Sequence, residues 1–61
     1  MNSELVALFA AISAENARIA GMQAENMQRA ALGHSMAYLE QDFAYSAAEL
    51  DRLCITARNA S

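Results

Sequence analysis

Gln28-Arg29-Ala30-Ala31-Leu32-Gly33-His34-Ser35-Met36 is the one stretch where the helical pattern of this 61-residue chain is broken. Glycine takes the left-handed conformation that ends helices without a Cβ penalty, and serine is a strong N-cap. Gly33 therefore closes a first helix and Ser35 opens a second. Upstream, Ser3 can cap a helix that runs without interruption to about residue 32. Downstream, a second helix is expected over about 36–58, with Asn59 as a stop. Glu40 and Asp42 lie early in it and Arg52 and Arg58 late, as the helix dipole favours. A turn of only 33–35 sets the two helices antiparallel. The expected fold is all-α, one helical-hairpin domain over 1–61.

Composition supports helix throughout. There is no proline, only two glycines stand in the chain, and alanine, the best helix former, is abundant. A chain this short buries only about 60% of the surface its unfolded form exposes, so it needs a staple. Cys54 is the lone cysteine, which rules out an internal disulfide, and one His with one Cys does not make a structural zinc site. Oligomerisation is what remains. The net charge of −3 argues against a nucleic-acid partner. The apolar run from Leu5 to Ala14 carries Glu4 where a signal peptide is basic, and it is far shorter than a bilayer span of about 20 residues. No membrane association and a cytoplasmic setting are expected.

The two helices carry unequal numbers of seams. In the second, Met36, Leu39, Phe43, Ser46, Leu50, Leu53 and Ala57 repeat at spacings of three and four, flanked by Ala47 and Cys54. The first has two seams. Leu5, Leu8, Ile12, Ile19 and Met22 form a large-residue stripe that Glu15, Asn26 and Arg29 continue. Roughly opposite lies a small-residue stripe: Val6, Ala10, Ser13, Ala17, Ala20 with Gly21, Ala24, Gln28 and Ala31. The second helix covers one of these. Folding the chain back at Gly33 also leaves Leu5, Leu8 and Phe9 beyond its reach, an exposed apolar patch of the kind that marks interfaces. A homodimeric four-helix bundle, joined through Leu5, Val6, Leu8, Phe9, Ala10, Ala17, Gly21 and Ala24, would cover both. The plainer reading is that these alanines only supply helix propensity.

Three polar features invite a functional reading. Tyr38, Asp42, Tyr45, Glu49 and Arg52, continued by Thr56, form a stripe away from the core seam. Tyrosine and arginine are enriched at protein interfaces and among their hot spots; tyrosines packed over a bundle edge would look the same. Around the turn, Asn26, Arg29, His34, Ser35 and Tyr38 offer a small anionic ligand a cation, a ring, a hydroxyl and the N–H groups of a helix start. The alternative is that they only cap helices. Glu15–Arg18 and Glu25–Arg29 are ordinary helical ion pairs, and Glu15 can also reach Arg52 across the hairpin. Buried polar groups such as Glu15 and Asn26 either fix register or line a site.

No catalytic constellation emerges, since His34 and Cys54 lie far apart and Glu40 and Asp42 point to different sides. No metal or cofactor is implied. The residues Glu25-Asn26, Arg29, Leu32 to Tyr38 and Asp42-Phe43 resemble short proteins of tailed phages and prophages, over about a third of the chain. That resemblance implies stoichiometric binding, such as inhibition of a host protein or sequestration of a defence signal. The hairpin, with Ala48-Glu49-Leu50, Arg52 and Cys54, is also similar to plasmid RNA-binding four-helix-bundle regulators. Lacking their basic face, this chain is not expected to bind RNA. The sequence thus points to a non-enzymatic phage accessory protein that binds a host protein. A nucleotide-signal sponge and a structural or assembly component are the alternatives.

Overall fold

A computed structural model of the protein describes residues 2–60, and these form two packed α-helices with no strand. Helix α1 spans Ser3–Ala31 and helix α2 spans Glu40–Ala60, folded back on one another as a hairpin. Asn2, rather than Ser3, is the N-cap of α1. Its backbone is extended, and its Oδ1 accepts hydrogen bonds from the N–H groups of Glu4 at 2.7 Å and Leu5 at 3.4 Å. Both residue types cap equally well, so composition alone does not choose between them.

Gly33 ends α1 as its residue type dictates. Its φ is +75°, the N–H of His34 donates to the Arg29 carbonyl at 2.8 Å, and the N–H of Gly33 donates to Ala30 at 3.1 Å. This is the Schellman arrangement, with the glycine at the left-handed position. Beyond it the expectation fails. The connection is not 33–35 but runs from Leu32 to Leu39, and α2 begins at Glu40 instead of residue 36.

Two side chains account for the late start. Asn26 Oδ1 accepts from the N–H groups of Ala37 at 3.1 Å and Tyr38 at 3.0 Å, while its Nδ2 donates to the Tyr38 carbonyl at 2.8 Å. Those backbone groups are thereby satisfied outside a helix. Asp42 Oδ2 then accepts from the N–H of Leu39 at 2.8 Å, the reach-back half of a capping box. Ser35 therefore caps nothing. Met36 and Leu39, expected in the seam of the second helix, are instead 62% and 54% exposed.

The large-residue stripe of α1 does face α2. Met22 is buried, as are Leu53 and Ala57 of α2, and Leu5, Leu8, Ile12 and Ile19 are half-buried. The small-residue stripe is exposed along its whole length, and a side chain at Gly21 would meet open space. Because α2 continues to Ala60, it extends further along α1 than the short turn implied. Leu5, Phe9 and Ile12 line one groove with Cys54, Ala57 and Arg58, so only part of the patch at Leu5, Leu8 and Phe9 is left uncovered.

The core also holds two polar residues, Glu15 at 4% and Ser46 at 3% exposure. Glu15 pairs with Arg18 on its own helix and does not reach Arg52; its second oxygen, Oε2, is buried without a partner. The whole is a plate measuring 47 × 18 × 9 Å between its Cα extremes, one helix thick. Helix α1 also holds an 18-residue stretch with mean hydropathy 1.3, long and apolar enough by length and composition to cross a membrane. The apolar character thus extends past the Leu5–Ala14 segment read from sequence, and 11% of that stretch is buried against α2.

Two substitutions test this architecture. Asn26→Ala removes three hydrogen bonds worth about 0.5–1.5 kcal/mol each. It should lower the unfolding midpoint and abolish slow amide exchange at Ala37 and Tyr38; undiminished protection there would contradict the clamp. An orphaned buried acceptor costs about 1–3 kcal/mol. Glu15→Leu should therefore raise the midpoint in a thermal melt, and a lower midpoint would mean that the carboxylate is better satisfied than it stands here.

Candidate binding surface

Of the stripe read on the second helix, three residues share one flank of α2. Tyr45, Glu49 and Arg52 follow one another at spacings of four and three, with Thr56 one turn further. Tyr45 is 72% exposed. Arg52 donates to Glu49, and Thr56 Oγ1 donates to the Arg52 carbonyl at 2.9 Å. The Arg52 hydrogen bond holds the Glu49 carboxyl below its ordinary range, helped by the charges of Arg52 and of Arg18 on α1. The same hydrogen bond raises Arg52. Arg18 therefore belongs to the electrostatics of this flank. Asp42 is turned to the helix start as a cap, and Tyr38 stands in the connection.

The five residues read as an anion site do not gather around a helix N-terminus. The start of α2 now carries Glu40 and Asp42, whose charges oppose an anion. Asn26 is committed to the backbone of Ala37 and Tyr38, and Arg29 donates to Glu25 at 2.8 Å. His34 and Ser35 are exposed in the connection. Among the described residues, no group of three His, Cys, Asp or Glu is placed to hold a metal ion.

Sequence reasoning missed what the longer connection exposes. Met27, Leu32, Met36 and Leu39 are 54–72% exposed, and all four lie at the turn end of the plate. One signal for it was available. Asp42 stands three residues after Leu39, the spacing at which an acidic side chain reaches back to its cap. Giving it weight over Ser35 moves the helix start to 40 and releases Met36 and Leu39 from the seam.

No protein-family model, curated protein or solved structure matches the chain.

The Glu49–Arg52 pair yields a pH prediction. A carboxyl lowered in the folded state adds stability above its unfolded value, here 4.5, and loses it as pH falls through the folded value. Because the pair is exposed, the contribution is small. The difference in melting midpoint between the wild type and Glu49→Gln should be present at pH 7 and shrink below pH 4.5. A difference independent of pH would show that the ion pair is not its source.

Proposed function

We propose that the chain is a non-enzymatic binding protein of the phage or prophage accessory kind, working as a homodimer and engaging a host protein stoichiometrically. The observation that carries this reading is the group of four large apolar side chains exposed at the turn end. Solvated methionine and leucine have no structural use there, since the connection is held by the Asn26 clamp and the Asp42 cap rather than by burying them. Methionine adapts its shape to apolar partners, and Tyr38 in the connection and the exposed Tyr45 of α2 are residue types of interface hot spots.

Support for the homodimer comes from the plate itself. Its surface is 4454 Å², against about 3,900 Å² for a compact protein of 6.6 kDa. Its radius of gyration is 14.6 Å, against about 10.5 Å for a compact chain of this length. Two such plates stacked into a four-helix bundle recover the missing burial. The protein is proposed to act in the bacterial cytoplasm, away from membrane and nucleic acid, as its acidic balance favours.

Affinity capture from bacterial lysate tests the binding reading. The wild type should retain one protein in amounts comparable to the bait. Met36→Asp and Tyr45→Ala, both at exposed positions, should reduce its recovery tenfold or more while leaving helicity unchanged. Failure of the wild type to retain any stoichiometric partner would contradict the reading.

A further inference from the structure

The two broad faces of the plate differ. In an antiparallel pair, one side of each helix contributes to each face. On the first face, Leu5, Phe9 and Ile12 of α1 lie along a groove of about 340 Å³ with Cys54 and Ala57 of α2. On the other stand Arg18 of α1 and the Tyr45–Glu49–Arg52 flank of α2, coupled through the effect of Arg18 on Glu49. The first face thus centres on an apolar groove with Arg58 at its end, and the second carries the charged flank. Phe9, which lines the groove, is 49% exposed; Ile55, exposed to the same degree, belongs to a separate hollow with Asp51, Cys54 and Arg58.

Taking the homodimer above as given, we propose that a second copy of this chain seats on the Leu5–Phe9–Ile12–Cys54 face, around a twofold axis near Cys54. The small-residue stripe of α1 stays outside that interface. The area deficit identifies the occupant. The plate exposes about 550 Å² more than a compact protein of its mass, on the order of the ~800 Å² each partner contributes to a standard interface. This deficit belongs to folding, because among the described residues only Met22, Leu53 and Ala57 are buried apolar ones and none has a fully buried side chain. What covers the face must therefore be present whenever the chain is, in equal amount, and a second copy meets that condition.

The edge chemistry is self-complementary. Asp51 and Arg58 flank Cys54 on α2, two helical turns apart and opposite in charge. A twofold axis near Cys54 sets each against its opposite number, as an isologous interface requires. The open ends of the two plates then overlap, and the turn ends, with Met27, Leu32, Met36 and Leu39, project at the two extremities.

Sedimentation equilibrium on the wild type, Phe9→Glu and Ala17→Glu tests the proposal together with thiol cross-linking. The wild type should have twice the mass of one chain, Ala17→Glu the same, and Phe9→Glu should lose dimer at least tenfold. A short bis-maleimide should join wild-type chains through Cys54, and should fail to join Cys54→Ser chains carrying Ala17→Cys. Cross-linking needs no destabilising change at position 9, so it decides the matter even where Phe9→Glu unfolds. A dimer that survives Phe9→Glu but is lost in Ala17→Glu, or that cross-links through position 17 and not 54, overturns the chosen face while keeping the homodimer. A wild type of single mass overturns both.

Discussion

Two helices joined in a hairpin can bury only the seam between them. Each keeps most of its circumference in water, and in this chain little apolar surface faces inward. The seam contains Met22, Leu53 and Ala57, but it also contains Glu15 and Ser46. A buried carboxylate with one orphaned oxygen works against stability where a leucine would add to it. The hairpin geometry is accordingly defined by polar devices at its ends more than by the mass of its core: the Asn2 cap, the Gly33 stop, the Asn26 clamp and the Asp42 reach-back.

Those devices have consequences at a distance. The Asn26 clamp holds Ala37 and Tyr38 out of the helix, so α2 begins late and Met36 and Leu39 are displaced from core to surface. The same shift carries Asp42 from the exposed stripe to the helix start. An apolar turn end and an acidic helix N-terminus are thus produced together. The first is the surface that the proposed protein partner would use, and the second sets acidic charge where the alternative reading needs an anion.

Much of the fold was legible in the residues. Heptad spacing identified the facing stripe of α1, Gly33 marked its end, and Glu15–Arg18 and Glu25–Arg29 are the ion pairs their spacings imply. What was not legible came from contacts between residues far apart in sequence. Nothing local to Asn26 says that its amide will bond to a backbone eleven and twelve residues on. Ser35 and Leu39 offered competing N-cap positions, and local propensity ranks serine far above leucine. The error then propagated, since a short turn places the end of α2 too far from Leu5 and Phe9. Of the tyrosine stripe, Tyr38 alone falls outside α2, which begins at Glu40; Asp42 stands in its first turn, where its carboxylate accepts from the Leu39 N–H.

Folding completed by a second copy, as proposed, makes stability depend on concentration by mass action. Thermal unfolding followed by circular dichroism across a hundredfold range of protein concentration measures this directly. A midpoint that rises steadily with concentration is the predicted result. A midpoint that stays the same throughout would show that the hairpin stands alone and that no second copy completes it.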